Sequence, residues 1–108
     1  MSLVSAHVLD ASAGAPAAGV EVRLSTTEGR ELATAVTDAD GRVTELGPAT
    51  LPVGTYRVLF ATGRYLADRD QPAFYPQIEV SFTVTEGEPH YHIPLLLSPY
   101  SYTTYRGS

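Results

Sequence analysis

Short segments in which apolar and polar residues alternate run through most of this 108-residue chain, and they limit its fold more than any other feature. A period of two residues buries one side of a segment and is typical of β-strands. Eight such segments follow one another at a spacing of roughly ten residues. They are Leu3–Asp10, Val20–Thr26, Glu31–Thr37, Arg42–Leu46, Gly54–Ala61, Glu79–Thr85, His90–Leu97 and Ser101–Arg106. The pattern predicts an all-β sandwich.

Glycine, proline and small polar residues separate these segments. The stretch DASAGAPAAG, residues 10–19, predicts a loop, and DADG at residues 38–41 predicts a tight turn. A short turn at residues 28–29 joins the predicted strands Val20–Thr26 and Glu31–Thr37 as a hairpin. Helical character is confined to Arg64–Asp70, because Pro72 stops a helix there. The length predicts a single domain covering residues 1–108.

Charge and composition exclude several classes of function. The net charge is −5, whereas a nucleic-acid partner needs a basic face, so no such partner is expected. The absence of cysteine excludes disulfides and thiol nucleophiles. The first residues, MSLVSAHVLDA, lack the basic and long apolar regions of a signal peptide, and no stretch approaches the ~20 apolar residues of a membrane helix. We therefore expect a cytoplasmic protein without a membrane partner.

Histidines are concentrated near the last two predicted strands, in HYHIPLLLSPYSYTTYRGS, residues 90–108. His90 and His92 stand at i and i+2 of a strand and so share one face. His7 lies on the mixed, half-polar face of the first strand. Three interpretations stay open: a zinc site, general acid–base chemistry at a pKa suited to it, and histidines without a role.

Two arginines extend this polar set. Arg42 follows the DADG turn, and Arg106 lies in the final YRGS. Each arginine could simply be an exposed surface charge. A guanidinium also binds carboxylates and planar anions with two parallel hydrogen bonds. The serines fit no nucleophile motif. From the residues alone, the chain is a β-sandwich with a candidate His/Arg site and an unidentified substrate.

The chain resembles the transthyretin-like family, and within it the 5-hydroxyisourate hydrolases, over about residues 3–108. In the first half, HVLDASAGAPAAGVEVRL, TDADGR and LPVGTYRV carry the resemblance, but they are also similar to other sandwich modules. In the second half, FYPQIEVSFTV and HYHIPLLLSPYSYTTYRGS are specific. The tetrapeptide YRGS is the signature that separates the hydrolases from hormone-carrying transthyretins.

The resemblance implies two four-stranded sheets with one short helix near residues 64–70. It also implies a homotetramer, a dimer of dimers with a central channel. The channel faces would come from the first strand and the last two. These faces carry Ser5, His7, Leu9, His92, Pro94, Leu96, Ser101, Thr103 and Tyr105.

The activity implied is hydrolysis of 5-hydroxyisourate to 2-oxo-4-hydroxy-4-carboxy-5-ureidoimidazoline in urate degradation. Water would attack a ring carbonyl at a site between subunits, without metal or organic cofactor. The resemblance assigns catalysis to His7, Arg42, His92 and Ser108, and substrate binding to Tyr105, Arg106, Gly107, Pro94 and Leu96. His90 is expected either to support these residues without touching the substrate or to lie near the rim of the site.

Two other functions stay open. One is a transthyretin-like carrier that binds a small aromatic ligand in the channel, and the other is a structural interaction module.

Overall fold

A computed structural model describes residues 1–108 as nine strands and one helix. The elements are β1 (Val4–Asp10), β2 (Ala15–Pro16), β3 (Glu21–Thr26), β4 (Glu31–Val36), β5 (Arg42–Leu46), β6 (Gly54–Phe60), α1 (Thr62–Ala67), β7 (Ile78–Val84), β8 (Tyr91–Ser98) and β9 (Ser101–Thr104). All eight predicted strands are present, with small differences at their ends. The two-residue strand β2 lies within the predicted loop.

The helix begins earlier than predicted and ends earlier. It covers Thr62–Ala67, whereas the sequence predicted residues 64–70. Gly63 explains the early start: its N–H donates to the Pro76 carbonyl at 2.9 Å, and a Cβ there would lie 2.6 Å from that oxygen. Only glycine tolerates so close a backbone approach. After Ala67 the chain leaves the helix, and Asp70 has φ +54°.

The strands form two sheets, here called the β1 sheet and the β3 sheet. The β3 sheet has the order β4-β3-β6-β7 and is antiparallel throughout. The β1 sheet has the order β2-β1-β8-β9, with β5 also pairing with β1. The predicted all-β sandwich is confirmed, and β2 makes one of its sheets five-stranded rather than four-stranded.

The core lies between the two sheets and contains 21 buried hydrophobic residues. Alternation places every second residue of β1 there: Val4, Ala6 and Val8 are at most 1% exposed. Burying a valine side chain stabilises the fold by about 1.5–3 kcal/mol. The residues between them, Ser5 and His7, consequently point out of the β1 sheet.

Strands β1 and β8 pair in parallel, and this pair aligns the outer face of the sheet. Ser5 lies opposite His92, and His7 lies opposite Pro94. Strands β8 and β9 pair antiparallel as a hairpin next to β1. The helix α1, with six residues, does not approach the length needed to cross a bilayer, and it is the chain's one α-helix.

Candidate active site

Three neighbouring strands deliver the predicted catalytic side chains to one face. In the β1 sheet, β5 lies on one side of β1 and β8 on the other. Arg42 of β5 pairs with His7, and His92 of β8 pairs with Ser5. Paired residues share a face of the sheet. Residues far apart in sequence are therefore neighbours on the outer surface of β1.

The DADG turn fixes the start of β5 and with it Arg42. The Asp38 carboxylate accepts the backbone N–H groups of Asp40 and Arg42, each at 2.9 Å. Gly41 has φ +73°, and a Cβ there would overlap the Val8 carbonyl oxygen. The turn therefore requires glycine both for its left-handed backbone and for its contact with β1.

The turn also orients His7. The Nε2 atom of His7 lies 2.9 Å from the Asp40 carbonyl oxygen. Because a carbonyl only accepts hydrogen bonds, Nε2 carries a proton and donates it. In the neutral ring the lone pair is then on Nδ1.

His92 is held on both sides of its ring. Its Nδ1 lies 2.7 Å from the Ser5 hydroxyl. On the opposite side, the backbone of Gly107 lies so close that a Cβ there would overlap the His92 Cδ2 atom. The Nε2 atom has no hydrogen-bond partner in the chain, and no unpartnered side-chain nitrogen is buried. That atom is therefore accessible for chemistry.

The surroundings of His92 favour its neutral form. Partial burial lowers its pKa below the ordinary value of 6.5, and the positive charges of Arg42, His7 and His90 lower it further. Burial acts by removing water from the charged form, and the neighbours act by repulsion. A neutral imidazole with a free nitrogen is a competent proton acceptor near neutral pH.

A pocket of about 190 Å³, here called the imidazole pocket, opens beside these groups. It is lined by Ser5, Ala6, Arg42, Val43, Thr44, His92 and Ser108. The His7 ring lies next to it, with its centroid 6.4 Å from that of His92. Of the four predicted catalytic residues, three line the pocket and the fourth borders it.

Gly107 reaches His92 because residues after β9 continue along β8. The Gly107 N–H donates to the His92 carbonyl at 2.9 Å, and the two residues form an isolated antiparallel bridge. Pro94, with no N–H to offer, interrupts the ladder between this bridge and β9. The bridge places Ser108 at the pocket, while Pro94 is buried near Gly107.

The other predicted substrate-binding residues are not brought into the pocket. The guanidinium of Arg106 lies 3.1 Å from a carboxylate oxygen of Glu88 and 5.0 Å from the centre of the Tyr91 ring. Tyr105 is 54% exposed. Leu96 lies further along β8, opposite Leu9. Their role in substrate binding stays a prediction.

Sequence reasoning missed two features of this site. Ser5 was placed on the outer face without a role, although it joins His90 and His92 at 2.8 and 2.7 Å. The position of Ser5 two residues before His7 in a strand was the available signal. Thr44, two residues after Arg42, lines the pocket for the same reason.

The three histidines do not form a metal-ligand set. Nowhere in the chain do three or more His, Asp or Glu side chains converge in a geometry that would hold a metal ion.

The fold and the pocket define a two-sheet β-sandwich that presents imidazole and guanidinium groups on the outer face of one sheet. The chain belongs to the HIUase/Transthyretin family, whose profile matches residues 4–107. The resemblance read from the sequence is therefore confirmed.

Relatives within this family have two kinds of name. The mouse 5-hydroxyisourate hydrolase is 48% identical over 113 residues, covering 99% of this chain and 96% of the relative. The structure of Klebsiella pneumoniae 5-hydroxyisourate hydrolase superposes with a TM-score of 0.91 at 42% identity, covering 100% of both chains. Sea bream transthyretin in complex with thyroxine superposes with a TM-score of 0.89 at 39% identity, covering 97% and 94%. The fold is thus common to proteins of both names.

Proposed function

We propose that this protein hydrolyses 5-hydroxyisourate in purine degradation, giving 2-oxo-4-hydroxy-4-carboxy-5-ureidoimidazoline. It is a hydrolase, because relatives named 5-hydroxyisourate hydrolase match it over nearly their whole length. The observation that carries the proposal is the unengaged Nε2 of a neutral His92 beside Arg42, His7 and Ser108.

His92 acts as the general base. Its Nε2 takes a proton from water while the water oxygen bonds to a ring carbonyl carbon of the substrate. This choice over His7 rests on position and charge. His92 lines the imidazole pocket and has a lowered pKa, whereas His7 only borders the pocket. A base positioned in this way accelerates proton transfer by about 10²–10⁴-fold.

Arg42 and His7 serve the later part of the reaction. As the carbonyl oxygen gains negative charge, the Arg42 guanidinium donates hydrogen bonds to it, an effect worth about 10²–10³-fold in comparable sites. The ring C–N bond then breaks, and the leaving nitrogen takes a proton. His7 shuttles that proton, because its Nδ1 has no partner within the chain and its ring lies beside His92.

The site works between subunits of a homotetramer built as a dimer of dimers. Two features of the chain support this assembly. The imidazole pocket, at about 190 Å³, is smaller than the roughly 300–1,000 Å³ of ordinary ligand sites. It also lies on the outer face of a sheet, where a second copy would supply the missing wall.

Transthyretin-like carriage of a small aromatic ligand is the second candidate, favoured by the likeness to thyroxine-bound sea bream transthyretin. A cytoplasmic location stays a prediction.

The test generates 5-hydroxyisourate from urate with a urate oxidase and then adds the protein. Ultraviolet absorbance follows loss of the substrate, and circular dichroism follows the product. Unaided decay gives a racemate, so a chiral signal requires turnover on the protein. We expect faster decay with a strong signal, and a loss of about 10²-fold or more in kcat/KM for His92→Asn.

Arg57→Gln, on the outer face of the β3 sheet, is the matched control and should behave as wild type. Decay at the unaided rate without chirality would overturn the proposal. Tight binding of an aromatic ligand in that case would establish the carrier. The mass of the assembly by light scattering tests the tetramer separately.

A further inference from the structure

The Ser5 hydroxyl lies between two imidazoles, in a position with no catalytic assignment so far. Its oxygen is 2.7 Å from His92 Nδ1 and 2.8 Å from His90 Nε2. Ser5 is 8% exposed, so water does not compete freely for these bonds. A hydroxyl has one proton to donate and lone pairs to accept with. Ser5 can therefore donate to only one of the two rings, and at least one ring must donate to it.

The direction of these two bonds decides which nitrogen of His92 is basic. If Nδ1 of His92 donates to Ser5, its lone pair is on Nε2, the accessible nitrogen. Ser5 then donates onward to His90 Nε2. In the opposite direction, His92 would present Nε2–H and would not accept a proton from water. The hydrogen bond made by one ring nitrogen thus sets the function of the other.

Charge explains why a second imidazole is useful here. A proton taken by His92 creates a cation beside Arg42 and His7, two groups that carry or can carry positive charge. His90 is on the other side of Ser5 from His92. Passing the proton to His90 moves the charge two residues back along the chain, to a position just before β8 and away from Arg42 in β5.

We propose that Ser5 is a positioning residue that holds His92 with Nε2 free, and that His92, Ser5 and His90 form a proton relay. The inference rests on the proposed function. When Nε2 of His92 takes a proton from water, the Nδ1 proton moves to Ser5 Oγ. The Ser5 proton moves to His90 Nε2. His92 is then neutral with a proton on Nε2, Ser5 is unchanged, and the positive charge is on His90. The relay reverses as the leaving nitrogen is protonated.

Two variants separate positioning from proton transfer. Ser5→Ala removes the hydroxyl that both rings contact. His90→Gln keeps a side chain that hydrogen-bonds Ser5 but cannot take up a proton. We expect Ser5→Ala to lower kcat by about tenfold with KM within about twofold of wild type. We expect His90→Gln to lower kcat by a similar factor. Ser5→Thr, which keeps the hydroxyl, should restore most of the activity lost in Ser5→Ala.

Nitrogen-15 NMR of the histidines gives a readout that does not depend on turnover. In wild type, His92 should be protonated at Nδ1 with a lone pair on Nε2, and His90 should have its lone pair on Nε2, where it accepts from Ser5. His90→Gln should keep this His92 tautomer, whereas Ser5→Ala should give a mixture. An unchanged His92 tautomer in Ser5→Ala would overturn the positioning role. A neutral His90 with its proton on Nε2, or full kcat in His90→Gln, would overturn the relay.

The same spectra distinguish failure of the inference from failure of the proposed function. A wild-type protein that does not hydrolyse 5-hydroxyisourate would overturn the function. The tautomers of His92 and His90 would still decide whether Ser5 holds His92 and couples it to His90. Circular dichroism and unfolding of each variant check that the fold is retained.

Discussion

Strand β1 carries a polar cluster near each end, and the two clusters differ in how completely their atoms are engaged. The Asp10 cluster consists of Asp10, Tyr65 and Arg69. One carboxylate oxygen of Asp10 accepts the Ala13 N–H at 3.0 Å, and the other accepts the Tyr65 hydroxyl at 2.8 Å. Burial, followed by the bond to Asp10, raises the pKa of Tyr65 to about 12. The Arg69 guanidinium lies 3.7 Å over the Tyr65 ring.

The imidazole pocket at the other end of β1 leaves groups free. His92 Nε2 and His7 Nδ1 have no partner in the chain, and Arg42 is exposed. Yet the pocket beside the Asp10 cluster is the larger one, at about 270 Å³ against about 190 Å³. On the proposed function, unengaged donors and acceptors, rather than volume, distinguish the active site from a structural cluster.

Gly107→Ala should give the largest effect, a loss of activity without a comparable loss of stability. A Cβ at this position would overlap the His92 ring, so either the ring or the 105–108 segment must move. Displacement of a catalytic group by about 1 Å can cost about 100-fold, and we expect a loss of that size in kcat/KM. Chemical denaturation should show a free energy of unfolding within about 1 kcal/mol of wild type.

Gly63→Ala is the matched control for that prediction. Its Cβ would lie 2.6 Å from the Pro76 carbonyl oxygen, an overlap of similar kind at the helix α1. It should lower stability by about 1–3 kcal/mol and leave kcat/KM of the folded protein unchanged. Equal loss of activity in both variants would mean that overpacking itself, and not the place of Gly107, is responsible.

Tyr65→Phe should give the next largest effect, a loss of stability without a loss of activity. Tyr65 is 4% exposed, and loss of its hydroxyl leaves a buried oxygen of Asp10 without a partner. The expected cost is about 1–3 kcal/mol in the free energy of unfolding, with wild-type turnover. Tyr100→Phe, on a ring that is 66% exposed, should change stability by less than about 0.5 kcal/mol. A loss of turnover in folded Tyr65→Phe would erase the distinction between the two clusters.

The pH dependence of stability should show the smallest effect. The pKa of His92 is lower in the folded protein than the ordinary 6.5, so the unfolded chain binds a proton first as pH falls. The contribution of His92 is therefore complete above 6.5 and is lost as pH falls through the lowered folded value. Denaturation curves from about pH 8 to about pH 5 should fall more steeply for wild type than for His92→Gln. Parallel curves would contradict the lowered pKa.

The local parts of this structure could be predicted from the sequence. Alternation in LVSAHVLD gave both the strand β1 and its two faces, because strand geometry fixes which residues share a side. The DADG turn could be predicted for a similar reason, since its residues tolerate the backbone angles that the turn requires.

The long-range parts could not be predicted from periodicity. Nothing in the alternation of β1 says that it pairs with β8 in parallel, and this pairing is what places Ser5 opposite His92. The alternation of apolar and polar residues also does not show that the Arg106 side chain contacts Glu88 instead of the pocket. The early start of α1 depended on the Pro76 carbonyl, which approaches Gly63 from the loop between α1 and β7. Such contacts depend on tertiary packing, which overrides local preference.

The parallel pairing of β1 with β8 also determines when the site is formed during folding. Ser5 and His90 are separated by 85 positions along the chain, and the bond between them closes a loop that contains most of the protein. Contacts of such long range form late, because the entropy of closing the loop must be offset before they stabilise anything. During synthesis, β1 leaves the ribosome early and has no β8 to pair with until nearly the whole chain has been made. Until this pair forms, Ser5 and His7 of β1 are held apart from His92 of β8, so the proposed site is complete only in the full fold.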